Sequence, residues 1–119
     1  MNLVERSEVT ETILDTASLR AAVTAADAGA VVVFEGVVRD HDPEATGQVT
    51  GLEYTAHPDA TTFLREIIAE ANTEVHNELD HGPLPVRVVA AHRIGHLEVG
   101  ETALFVAVSA AHRQEAFAV

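Results

Sequence analysis

The sequence predicts an α+β domain with a mostly antiparallel sheet and flanking helices, and three observations carry that prediction. Along the chain the hydrophobic patterns run strand, helix, two strands, helix, two strands, helix, which is not the regular βαβ alternation of a parallel fold. No GxGxxG or GxxxxGKS/T segment is present, so nothing supports a nucleotide-binding α/β sheet. The 119 residues are 47% hydrophobic and 22% charged, which suits one domain over residues 1–119. A domain of that size can bury roughly two thirds of its unfolded surface.

Residues 2–14 alternate loosely and predict a short strand ending near Ile13 and Leu14. Asp15 is a good N-cap for a helix from Thr16 to about Asp27, with Leu19, Ala22, Val23 and Ala26 on one face. Gly29 is expected to close it. Residues 30–39 read as a strand buried on both faces at its start, after which Glu35, Val37 and Arg39 point the same way. Asp40 to Gly47 is an expected exposed loop. Gln48 to Ala56 predicts a strand paired with the one before it.

Pro58 suits the first position of a long helix. Its stripe Ala60, Phe63, Leu64, Ile67, Ile68, Ala71 and Val75 is apolar, while Arg65, Glu66, Glu70 and Glu74 face water. That helix is expected to stop near Gly82 and Pro83. Leu84 to Ile94 predicts a third strand, Gly95 to Glu101 a turn-rich connection, and Thr102 to Ser109 a fully apolar fourth strand. A last helix is expected from Ala110 or Ala111, capped by Ser109. It has barely begun when the sequence reaches Ala116-Phe117-Ala118-Val119, and isolated helices under about 12 residues are marginal. The expectation is a domain that is short at its C-terminus, the alternative being a terminus docked on a partner subunit.

Composition excludes several functions. A formal charge of −12, from 19 acidic and seven basic residues, opposes binding to DNA, RNA or anionic lipid. No apolar run approaches the roughly 20 residues of a membrane span. Met1-Asn2-Leu3-Val4-Glu5-Arg6 lacks the features of an export signal, so a cytoplasmic location is the default expectation. The absence of cysteine removes disulfides, thiolate catalysis and thiolate metal sites. Every basic residue is arginine, so no lysine nucleophile is present.

Against that acidic background two strands each end in an arginine. Val31-Val32-Val33-Phe34-Glu35-Gly36-Val37-Val38 leads to Arg39-Asp40-His41, and Leu104 to Ala111 leads to His112-Arg113. Free backbone N–H groups where a strand turns into a helix bind anions, and His112 and Arg113 would add a proton donor and a guanidinium fork. The plainer alternatives are local capping by His112 and a surface ion pair for Arg113. For Arg39 the alternative is an ion pair with Asp40, Asp42 or a neighbouring glutamate. Taken together, the two arginines favour a shared anion pocket. His92 and His96 with His112 suggest an imidazole metal site, but Gly95 breaks any regular spacing, and neither metal nor cofactor is expected. His57, His76 and His81 read as capping or solvated.

At these residues the chain resembles the large, catalytic subunit of molybdopterin synthase. The resemblance rests on residues Gly29 to His41, on Leu52-Glu53-Tyr54 with His57-Pro58, on His92-Arg93-Ile94-Gly95 followed by Val99-Gly100-Glu101, and on Val106 to Phe117. It implies an α/β hammerhead-type α+β domain that forms a homodimer and binds a ubiquitin-like small subunit on each large one, giving a heterotetramer. The small subunit's C-terminal Gly-Gly tail, carried as a thiocarboxylate, would donate sulfur to cyclic pyranopterin monophosphate. Arg39, His112 and Arg113 match family positions that contact this phosphate-bearing pterin, with Val37 and Val38 adjoining through backbone groups. The family pattern continues to two lysines beyond the last residue here, which implies that these 119 residues fold and dimerise but do not complete the reaction unaided. A catalytically silent dimeric module of the same fold, binding the ubiquitin-like partner or a pterin, is the alternative.

Overall fold

The computed structural model describes residues 2–40, 51–55, 58–79 and 85–119. They form β1 (Asn2–Thr10), α1 (Thr16–Ala21), β2 (Ala30–Val37), β3 (Gly51–Tyr54), α2 (Ala60–Leu79), β4 (Val86–Arg93), β5 (Gly95–Glu98), β6 (Thr102–Ala110) and α3 (Arg113–Ala118). The main sheet has the order β1-β4-β6-β2, and β3 pairs with β5 in a second, two-stranded sheet. β4–β6, β6–β2 and β3–β5 are antiparallel, whereas β1–β4 is parallel. The expected α+β class holds, with one parallel pair inside a mostly antiparallel arrangement.

Both faces of β4 and β6 are covered, which is why their sequences are nearly continuous apolar runs. Val89, Ala91, Phe105 and Ala107 pack on one face against Leu14, Leu19 and Val23. Val86, Val88, Val108 and Ala110 pack on the other against Ala116 of α3, with Ile68 of α2 alongside. Leu19 and Val23, four residues apart, are both fully buried, and each contributes about 1.5–3 kcal/mol by leaving water. Asp15 caps α1 as expected: its Oδ1 accepts from the Ser18 N–H at 3.1 Å. A third cluster, Val38, Leu97 and Ala103, joins the small sheet to the main one.

Several expectations need correction. α1 ends at Ala21 rather than near Asp27, so Gly29 does not close it. Gly29 is small for another reason: a Cβ there would lie 2.5 Å from the Ala111 carbonyl oxygen. β1 stops at Thr10, leaving Ile13 exposed and Leu14 buried. β3 pairs with β5, not with β2, and the supposed connection at 95–101 supplies that partner. Residues 30–39 are not buried on both faces, because β2 is an edge strand with Val33, Phe34 and Val37 exposed.

The apolar stripe of α2 is only partly covered. Leu64, Ile68 and Ala71 are half-buried, while Phe63 and Ile67 are exposed. The loop at 41–47, the start of the predicted strand at 48–50, Ala56, His57, His81, the helix stop at 82–83 and Leu84 lie outside the described residues, as do the side chains of Val75 and His76. No helix among the described residues is long and apolar enough to cross a membrane.

Candidate functional site at the strand ends

Strand direction decides where the predicted site residues go. β2 and β6 are antiparallel, with Ala30 opposite Ala110 and Val37 opposite Thr102. Arg39 follows the Val37 end, whereas His112 and Arg113 follow the Ala110 end. Seven residue steps of about 3.3 Å separate those ends by roughly 23 Å. Within one protomer the two arginines therefore do not converge, and a single-chain pocket is ruled out by the register.

Arg39, His112 and Arg113 are all exposed. Among the described residues, none of the three side chains has a hydrogen-bond or ion-pair partner, so the alternative of an ion pair between Arg39 and Asp40 is not formed. Asp42, the other partner considered, lies outside the described residues. Three other arginines are paired with carboxylates: Arg6 with Glu8 at 3.3 Å, Arg87 with Asp27 at 2.8 Å, and Arg93 with Glu101 at 2.5 Å. Among the described residues the side chains of Arg39, Arg113, Arg20 and Arg65 have no such partner, and Arg39 and Arg113 stand apart from the other two by lying beyond opposite ends of one strand pair.

The expected helix cap at Ser109 is not one. Ser109 is fully buried inside β6, and its hydroxyl donates to the Val23 carbonyl at 2.6 Å. The strand therefore runs on through Ala110, and the six-residue α3 starts at Arg113 itself. An anion at this end would meet the His112 and Arg113 side chains rather than a capped helix start.

At the other end of β2, Val38 is buried, and its backbone is engaged on both sides. Its N–H donates to the Glu101 carbonyl at 3.0 Å, and its carbonyl accepts from the Gly100 N–H at 2.9 Å. A ligand contact to this backbone must come from Val37 or from the remaining lone pair of the Val38 oxygen.

Sequence reasoning missed the group that organises this end. Arg93, named above only within the His92-Arg93-Ile94-Gly95 segment, lends its guanidinium to Glu101, and Glu101 also accepts the Glu98 N–H at 2.8 Å through its other oxygen. The Glu98 N–H and then the Arg93 hydrogen bond hold the Glu101 carboxyl below its ordinary value. A legible signal was the positive charge at the end of apolar β4, eight residues before a glutamate that follows a glycine. His92 Nδ1 lies 2.8 Å from the Arg93 carbonyl, and His96 Nδ1 lies 3.1 Å from Glu53. Among the described residues no group of three His, Cys, Asp or Glu side chains is close enough to hold a metal ion.

Two apolar grooves, of about 310 and 290 Å³, flank α2. The first is lined by Val9, Phe63, Ile67, His92 and Ile94 among others, and the second runs under Ile68 toward Val106 and Val119. Neither includes Arg39, His112 or Arg113.

The family described as MoaE protein matches residues 9–119. The chain belongs to the MoaE protein family. It is 36% identical over 110 residues to molybdopterin synthase catalytic subunit 1 of Mycobacterium tuberculosis, covering 92% of this chain and 68% of that one. It is 31% identical over 115 residues to the molybdopterin synthase catalytic subunit of Bacillus subtilis, covering 96% and 67%. Among solved structures, the crystal structure of molybdopterin synthase from Staphylococcus aureus matches with a TM-score of 0.74 and 29% identity, over 97% of this chain and 77% of that one. The hammerhead-type α+β expectation agrees with this MoaE fold, including the four-stranded sheet and its three helices.

Proposed function

We propose that this chain is the catalytic large subunit of molybdopterin synthase and acts in molybdenum cofactor biosynthesis. In that role a ubiquitin-like small subunit inserts its C-terminal Gly-Gly thiocarboxylate and transfers sulfur to cyclic pyranopterin monophosphate. Two such transfers build the dithiolene of molybdopterin. The observation that carries the residue assignment is the placement of two exposed arginines, without side-chain partners among the described residues, just beyond the ends of β2 and β6 on a chain of formal charge −12. Guanidinium groups bind phosphate oxygens in a fixed fork geometry. Arg39 and Arg113 hold phosphate or developing negative charge, His112 orients the substrate or moves a proton, and Val37 and Val38 adjoin through backbone groups. The protein works in the cytoplasm, with no nucleic-acid or membrane partner.

A second copy completes the pocket. β2 is the free edge of the main sheet, and Val33, Phe34 and Val37 on it are 41%, 59% and 50% exposed, a surface that invites pairing. Two β2 edges paired antiparallel about Phe34 set Arg39 opposite Gly29 of the partner subunit, because both lie five positions from residue 34. Gly29 abuts Ala111, the residue before His112 and Arg113. Arg39 of one protomer and the His112-Arg113 pair of the other then face one substrate.

Binding of cyclic pyranopterin monophosphate, measured by calorimetry, tests the residue assignment. Arg39→Ala and Arg113→Ala are each expected to weaken it at least about tenfold, the equivalent of one charge-assisted hydrogen bond. Undiminished binding in both variants overturns it.

A further inference from the structure

We infer that Arg93 and Glu101 are positioning residues for Arg39: they fix the turn that holds the outgoing end of β2. This rests on the reading that Arg39 contacts an anionic substrate, and adds to it the residues that set where Arg39 stands. The regular register of β2 with β6 ends at Val37, with an irregularity between Gly36 and Val37. Beyond it the chain is no longer held by the strand ladder. Val38 is fixed by two hydrogen bonds to residues 100 and 101 and by burial against Leu97 and Ala103. Arg39 is the next residue, so the geometry of the turn sets the origin of its side chain.

The turn is closed twice over. Its backbone bond runs from the Glu101 N–H to the Glu98 carbonyl at 3.1 Å, and Gly100 at its third position has φ +93°, a conformation that glycine adopts without strain. The Glu101 side chain folds back onto the Glu98 N–H, and its second oxygen takes the Arg93 guanidinium at 2.5 Å. Arg93 stands at the end of β4 with its side chain only 12% exposed, and its Nε is buried without a partner among the described residues. A cation held that far from water depends on Glu101 for its counter-charge. The pair therefore bolts a surface turn to the sheet interior, and through Val38 it fixes the direction in which Arg39 leaves the strand.

Affinity for cyclic pyranopterin monophosphate, measured by calorimetry on the dimer, tests this through a double-mutant cycle. Arg39→Ala should weaken binding at least about tenfold. Glu101→Gln should weaken it about three- to tenfold, and the double variant should bind no worse than Arg39→Ala alone, because Glu101 acts through Arg39. Arg93→Lys should restore most of the affinity that Arg93→Gln loses, which keeps the test open if Glu101→Gln folds poorly. If Arg39→Ala binds like the parent, the reading of Arg39 itself fails. If Arg39→Ala is weakened but Glu101→Gln and Arg93→Gln are not, or the two effects simply multiply, the positioning role fails while the reading of Arg39 stands.

Discussion

Ser109→Ala removes a single hydroxyl from a fully buried site, and its effect follows from the structure. That hydroxyl is the donor to the Val23 carbonyl at 2.6 Å, a bond joining the segment after α1 to β6 across 86 residues of sequence. Alanine fits the same space but deprives the carbonyl of that donor on a residue with no exposure. An unsatisfied buried acceptor costs about 1–3 kcal/mol. Unfolding entropy of roughly 2.1 cal/mol/K per residue gives about 250 cal/mol/K for a chain of this length, so each kcal/mol moves Tm by about 4 °C. Thermal and urea unfolding at one fixed protein concentration should therefore show a fall of about 4–12 °C with the urea slope unchanged. A loss below about 0.5 kcal/mol would refute the reasoning.

Stability should also fall in acid, for an identified reason. The Glu101 carboxyl is held below its ordinary 4.5 by the Glu98 N–H and then by Arg93. The Asp27 carboxyl is held below 3.8 by its hydrogen bond from Arg87. A carboxyl whose folded value is depressed binds protons more readily in the unfolded chain. Its contribution is therefore complete above those ordinary values and is lost as the pH falls through the lower, folded ones. Glu101→Gln and Asp27→Asn should each flatten part of the decline in urea midpoint below pH 4.5, and an unchanged decline in both would contradict this.

Local features of the fold were legible because they depend on neighbouring residues. Asp15 caps α1, Leu19 of α1 and Val23 just beyond it are buried against the sheet, and the valine-rich runs at β4 and β6 mark strands covered on both sides. Features set by distant partners were not. Nothing in the alternation of Gln48 to Ala56 says that its partner is β5 rather than β2, and β5 is short enough, at four residues, to read as a turn. α1 ends six residues early because α1 and the sheet need only Leu19 and Val23 buried, leaving Ala26 exposed.

The site divides in the same way. That β2 and β6 each lead to an arginine is a local fact and was readable. That the two ends point in opposite directions is a property of antiparallel pairing, which no local pattern records. Ser109 was misread because a serine beside a predicted helix start resembles a cap, and only the approach of Val23 reveals the buried hydrogen bond. The Arg93–Glu101 pair was hidden by the seven residues between them, which fold into β5 and a tight turn.

Mixing protomers tests the shared pocket most directly. Dimers carrying only Arg39→Ala, or only Arg113→Ala, lack one arginine in both of their sites. When the two variants are unfolded together and refolded, each mixed dimer regains one intact site, so about a quarter of the parental substrate-binding stoichiometry should return. If the mixture binds no more substrate than either variant alone, Arg39 and Arg113 do not meet across a dimer, and the central claim is wrong.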